Sequence, residues 1–188
     1  FVITERRIRG GNKFYLERFN NARYFDLARS IRVQTASRTF LGLLEFANTK
    51  VAVRSRNAFL GTYTVDSAGR LDLPDTVTKQ VDIEVGLPYL AYMQPMPFDA
   101  NTRSGTLTGK KRRVSRLIVE TYDTLSLKLE DDVILTRDVT DNLPGQPKPR
   151  SGPYEFNILG YSRDPTITLA LNEPMKATIL SMSAEIAY

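Results

Sequence analysis

The sequence predicts an all-β protein, built as an antiparallel β-sandwich or as two small packed β units with long loops and at most one or two short helices. Three observations carry that expectation. Nearly every apolar run is short and has a period of two, which gives a strand one buried face. Gly, Pro, Asn and Asp recur at close spacing between those runs, as in a meander or small barrel. At 188 residues, 41% hydrophobic and 25% charged, the chain also has enough apolar material for one good core or two small ones. The patterning divides it into an N-terminal β unit with a basic hairpin over residues 1–78 and a C-terminal antiparallel β unit over 79–188, with one continuous domain as the alternative.

Taken in order, the first runs are Val2 to Arg9 and Asn12 to Phe19, either side of Gly10-Gly11. Gly-Gly accepts positive φ at both positions of a tight turn, so residues 2–19 read as a hairpin. Its long charged side chains suit an exposed strand edge, which they protect from unwanted pairing. Ala22 to Val33 places Tyr24, Leu27, Ala28 and Ile31 at helical spacing and predicts a short helix or an irregular segment. Strand signals then follow closely: apolar Phe40 to Phe46, Lys50 to Arg54 with Val51 and Val53 inward, and Phe59 to Val65. Asp66 to Arg70 is a turn, and Leu71 and Leu73 share one face of a short strand that Pro74 stops.

The stretch from Lys79 to Glu120 is the centre of the pattern. Val81, Ile83, Val85 and Leu87 alternate strictly, and in the block ending at Glu120 Leu117 and Val119 fall on one face. Between them runs a polar loop from Asp99 to Lys110. Beyond it, Leu125, Leu127 and Leu129 alternate, the carboxylates Glu130 to Asp132 form a solvated turn, and Asp138 to Glu155 carries four prolines as a long loop or extended arm. Glu155 to Leu159, Thr166 to Leu171 and Ala177 to Ile186 close the chain as strands, the last with Thr178, Leu180, Met182, Ala184 and Ile186 in register.

The composition narrows function by subtraction. With no Cys there is neither a disulfide framework nor a thiolate nucleophile, and with no His the commonest general base and metal ligand are missing. Ser has no imidazole to activate it, and Gly109-Lys110 lacks the glycines and the Ser or Thr of a phosphate-binding loop. The expectation is therefore a protein that is not an enzyme, with no cofactor, no catalytic residue and no metal site. No apolar run reaches 18 residues, so no membrane span is expected. The net charge of +5, from 26 basic and 21 acidic residues, is compatible with nucleic acid or an acidic protein surface. The chain opens on Phe1, as a fragment or trimmed chain does.

Several segments, in order, carry a family resemblance: Arg7-Ile8-Arg9-Gly10 with Tyr15 to Phe19, Val85-Gly86-Leu87-Pro88-Tyr89, the Pro-containing run Met93 to Phe98, the block Ser104 to Leu129, and Glu173-Pro174-Met175 with Thr178 to Ile186. Together they resemble the signature of the tail nozzle proteins of short-tailed bacteriophages, also called tail tubular protein B. Gly42 to Ala47 departs from the Gly-Leu-His-Leu-Glu-Gly run of that family, and Val53 to Asn57 stands in place of a small Asp-Gly turn. The resemblance implies a virion structural protein, one portion of a larger tail protein, in a hexameric ring below the tail adaptor protein. Such a ring contacts the tail fibre or tip protein and forms part of the exit channel for double-stranded DNA. It also implies a chain made in the host cytoplasm and located in the tail of the virion. The alternatives are a carbohydrate- or receptor-binding β-sandwich of a phage tail, with Tyr122, Tyr154 and Tyr161 lining a groove, and an enzyme with a deep polar pocket.

Candidate assembly contacts follow from the basic block and the proline-rich loop: Lys110, Lys111, Arg112, Arg113 and Arg116, with Leu143, Pro144, Pro147 and Pro149. On a strand Lys110, Arg112 and Val114 face one way and Lys111, Arg113 and Ser115 the other, so the block is not one continuous patch. Arg112 and Arg113 are expected to meet carboxylates of an adjacent subunit or the adaptor, where a bidentate guanidinium suits a fixed partner. Arg103, Arg6, Arg7 and Arg9 are the candidates for facing DNA, through contacts that are sequence-blind and weakened by salt.

Overall fold

The computed structural model describes residues 1–8, 11–99, 101–102, 105–106, 109–129, 132–133, 145–158, 162, 165–171 and 173–187. Among them the fold is all-β and antiparallel, with one 3-10 turn, Leu44–Phe46. The chain divides into two compact units, one of Phe1–Tyr89 with Glu173–Met175 and one of Leu90–Asn172 with Lys176–Tyr188.

The first unit contains β1 (Val2–Ile8), β2 (Gly11–Glu17), β3 (Asp26–Ser37), β4 (Thr39–Phe40), β5 (Lys50–Ser55), β6 (Ala58–Thr64), β7 (Leu71–Asp72) and β8 (Gln80–Leu87). Its main sheet has the order β3-β8-β5-β6, and β4 pairs with β7. Because β8 is laddered to both β3 and β5, it belongs to this unit, which runs past residue 78 to Tyr89. The core gathers Phe40, Leu43, Phe46, Val51, Val53, Val65, Leu71, Ile83 and Val85. β5 is buried from Val51 through Ser55, so it is covered on both faces, and Arg54 enters the interior with the rest of the strand.

Three expectations for this unit are corrected. The segment read as a short helix or an irregular segment over Ala22 to Val33 contains the start of β3. Leu27 and Ile31 are four residues apart, a spacing that fits period two as well as a helix, and both pack on the core. The strand enters through an irregularity at Leu27, whose φ is +52°, where the register shifts between Asp26 and Arg29. The hairpin closes one residue earlier than Gly10-Gly11 implies, since Gly11 already pairs with Ile8. Val81, expected inside with Ile83 and Val85, is 37% exposed, because the β3–β8 register breaks between Arg32 and Ser37 opposite it.

The turn from Asp66 to Arg70 forms as expected. Asp66 Oδ1 accepts the backbone N–H groups of Ala68 and Arg70 at 2.9 and 2.7 Å, and Leu43 N–H donates to the Gly69 carbonyl at 2.9 Å. Gly69 has φ +78°, and a Cβ there would lie 2.7 Å from the Leu44 nitrogen. We expect Gly69→Ala to lower stability by about 1 to 3 kcal/mol, because positive φ and a backbone clash act together. Gly11→Ala, with nothing within 4 Å of the added Cβ, should stay within about 0.5 kcal/mol. Urea denaturation of both variants checks this; equal midpoints would overturn it.

The second unit contains β9 (Ala91–Met93), β10 (Asn101–Thr102), β11 (Gly105–Thr106), β12 (Arg113–Thr124), β13 (Lys128–Leu129), β14 (Asp132–Val133), β15 (Arg150–Asn157), β16 (Leu169–Leu171) and β17 (Ile179–Ala187). Two sheets, β15-β12-β17 and β14-β13-β16-β9, share one core of Val114, Leu117, Val119, Leu127, Leu129, Phe156, Ile167 and Leu169. This is a small sandwich. Val114 and Leu117 are an odd number of residues apart yet both are buried, because the β12–β17 register shifts between Val114 and Arg116. A second shift, between Glu120 and Thr121, turns Ile179 toward the core and leaves Leu180 61% exposed, which corrects the register expected for the last strand. The C-terminal part of the proline-rich segment, read as a long loop or an extended arm, is a paired strand: Arg150 to Glu155 lie in β15. Pro153 is tolerated there because, among the described residues, β15 is an edge strand paired with β12 alone.

Candidate assembly surface

β1 and β2 form a two-stranded sheet of their own, with continuous pairing from Val2↔Glu17 to Ile8↔Gly11. Alternation sends Thr4, Arg6, Tyr15 and Glu17, all half-buried, to one face. Ile3, Phe14 and Leu16 occupy the other at 73%, 73% and 71% exposure. Ile3 stands directly opposite Leu16, with Phe14 the next residue along that face. An isolated hairpin is marginal in water, so this one needs an anchor.

Arg6 is that anchor. Its Nε and Nη2 donate to the two oxygens of Glu17 at 3.0 and 3.1 Å, and its Nη1 and Nη2 donate to the two oxygens of Asp26 at 2.8 and 2.7 Å. The guanidinium fork thus joins β1, β2 and the start of β3. Hydrogen bonds to Asp26, then to Glu17, raise the Arg6 pKa above its already high ordinary value. Below this face lies a cleft of about 530 Å³, walled by Val2, Thr4, Arg6, Phe25, Asp26 and Leu27 among others. The Thr4 hydroxyl is buried there without a hydrogen-bond partner. Arg6, read from the sequence as a residue that faces DNA, therefore has its charge committed to two carboxylates. Arg7 is exposed on the opposite face, and Arg9 lies outside the described residues.

The basic block separates by burial. Lys110 and Lys111 are exposed in the turn before β12. Arg112 is 2% exposed; its backbone exchanges hydrogen bonds with Ser162, each 2.8 Å, and its Nη1 lies 3.2 Å from Asp99 Oδ1. Arg112, expected from the sequence to meet a carboxylate of an adjacent subunit or the adaptor, has a carboxylate of its own chain, Asp99, beside it. Arg112 shares a side of the chain with Val114, and that side faces the core. Arg113 is half-buried at the start of β12, opposite Ala187. Arg116 donates through Nε to Glu155 at 3.1 Å across the β12–β15 ladder, and that hydrogen bond raises its pKa. Both partners are well exposed, so the pair contributes little to stability.

Pro147 is half-buried and Pro149 exposed, whereas Leu143, Pro144 and Arg103 lie outside the described residues. Of the aromatics proposed for a binding groove, Tyr122 is 58% exposed but Tyr154 packs against the core, and Tyr161 lies outside the described residues. Among the described residues no group of three or more His, Cys, Asp and Glu side chains is placed to hold a metal ion. No protein-family model matches the chain, and no curated protein matches it.

Sequence reasoning identified the hairpin but not its exposed apolar face, although Ile3, Phe14 and Leu16 alternate with polar residues. Alternation shows which residues share a face; whether anything covers that face depends on the rest of the fold.

Proposed function

We propose that the chain is a structural assembly module of a virion tail, of the tail nozzle type, joining neighbouring subunits and tail proteins rather than transforming a substrate. The observation that supports this reading is the anchored hairpin, which presents Ile3, Phe14 and Leu16 to solvent on a sheet of two strands. Large apolar side chains gathered on one exposed face are characteristic of protein contact surfaces. The ordered motifs from Arg7 to Ile186 support the more specific assignment to a tail nozzle, with the adaptor and the fibre or tip protein as partners. In that assignment Lys110, Lys111 and Arg7 are the exposed basic candidates left for a partner surface or passing DNA.

The test is a mass measurement of the purified chain, alone and mixed with the adaptor ring of a short-tailed phage, followed by electron microscopy of any complex. The expected result is incorporation into a ring-shaped complex with the adaptor. A chain that stays unassociated with the adaptor across the accessible concentration range would overturn the nozzle assignment.

A further inference from the structure

We infer that the outer edge of β2 is a self-pairing edge, and that its occupant is β2 of a second copy of this chain, antiparallel about a two-fold axis through Tyr15. Among the described residues β2 is laddered to β1 alone, and no backbone hydrogen bond outside that ladder reaches residues 11–17. Its other edge is therefore a row of backbone donors and acceptors with no strand of the described residues beside it, the feature that recruits a further strand.

Charge and shape select the partner. A two-fold axis perpendicular to the sheet keeps every side chain on its own face, so opposed residues must have the same parity. Centring on Tyr15 sets Lys13 opposite Glu17 of the other copy and Phe14 opposite Leu16, each pair occurring twice. Lys13 is exposed, and Glu17, although held by Arg6, retains carboxylate lone pairs for a second donor. Opposite charges and paired apolar side chains are the combinations that stabilise facing strands. Centring on Phe14 or on Leu16 forms no such ion pair. The outer edge of β1 matches less well: an axis at Arg6 sets Glu5 opposite Arg7 but brings two Arg6 side chains face to face and pairs no apolar side chains with each other, and an axis at Glu5 opposes two carboxylates. The resulting four-stranded sheet carries Ile3, Phe14 and Leu16 of both copies on one continuous face. Such an isologous pair is a different contact from the head-to-tail contact that closes a ring, so this inference and the nozzle assignment can fail separately.

A charge exchange tests the pairing. K13E alone sets two carboxylates face to face, and E17K alone sets two ammonium groups face to face. Each should weaken self-association more than about tenfold, read as the dissociation constant by sedimentation. An equimolar mixture of the two restores opposite charges at both sites and should associate like the unmodified chain. Because E17K also removes a partner of Arg6, a second measurement is independent of that ion pair. The chain has no cysteine, so Y15C should form an intermolecular disulfide on mild oxidation, whereas R7C on β1 should not. An unmodified chain that remains monomeric, a mixture no better than its components, or equal crosslinking of Y15C and R7C would each overturn the inference.

Discussion

Glu84→Ala is expected to destabilise the first unit by about 3 to 5 kcal/mol, the range for removing one partner of a buried ion pair. The Glu84 and Arg54 side chains are 10% and 9% exposed. Arg54 Nε donates to Glu84 Oε2 at 2.8 Å, and its Nη2 donates to the same oxygen and, at 3.2 Å, to the Ala22 carbonyl. The guanidinium also lies over the rings of Tyr24 and Phe25, 4.8 and 5.6 Å from their centroids, and Arg23 Nη1 lies 2.9 Å from Glu84 Oε1. Without the carboxylate, the Arg54 cation would stay buried with one carbonyl and two aromatic faces for compensation. Replacing Arg54 and Glu84 together with Met and Leu should recover most of the loss, because the desolvation cost disappears with the charges. Guanidinium denaturation of the three proteins checks both statements. A single variant within about 1 kcal/mol of the unmodified protein would mean that the pair is not buried in solution.

That ion pair also shows where sequence reading stopped. The period of two in β8 put Ile83 and Val85 inside, and both are there. It also put Glu84 on the opposite face, which a half-buried strand would leave in water. The two-sided burial comes from the position of β8 between β3 and β5, and pairing order is not written in a single strand's alternation. The apparent helix at Ala22 to Val33 failed for the same reason. Only Ala28 and Tyr24 distinguished helix from strand, and Ala28 is exposed.

The second unit shows a different limit. Leu117, Val119, Leu127 and Leu129 were legible as core from alternation alone. The two register shifts along β12 and β17 were not, because a bulge changes parity without leaving a marker such as Gly or Pro. Arg112 could have been placed by the sequence: it shares a side with Val114, and an apolar neighbour two residues on is a guide to the direction of the core. What overrode that signal was its chemistry, since an arginine within four consecutive basic residues reads as surface. Asp99, thirteen residues earlier, is the partner that makes its burial tolerable. For the candidate surface, the sequence pattern revealed the hairpin and its charges, while the exposure of Ile3, Phe14 and Leu16 is a property of the folded chain, in which the described residues leave all three largely exposed.

Val85→Asp should be at least as damaging as the loss of Glu84, and for a different reason. Val85 has no exposed surface; it sits opposite Arg29 on β3 and Val53 on β5 and belongs to the cluster formed with Phe40, Phe46 and Ile83. An aspartate there removes two methyl groups from a packed site and puts a carboxylate among hydrocarbon. The carboxylate must then stay charged without a partner or take up a proton at a pH where it would normally be ionised. Together these cost about 4 kcal/mol or more, against a total stability of about 5 to 15 kcal/mol for an ordinary domain. Val85→Ala separates the two contributions, since it makes the cavity without the charge and should cost about 2 kcal/mol. Hydrogen exchange locates the damage: in the aspartate variant the amides of β3, β5 and β8 should lose protection together. The aspartate variant should also regain stability as the pH falls toward the range where its carboxyl is protonated, because the neutral acid is cheaper to bury than the anion. Protection of β5 and β8 equal to that of the unmodified chain at neutral pH would show that Val85 does not occupy the core of the first unit.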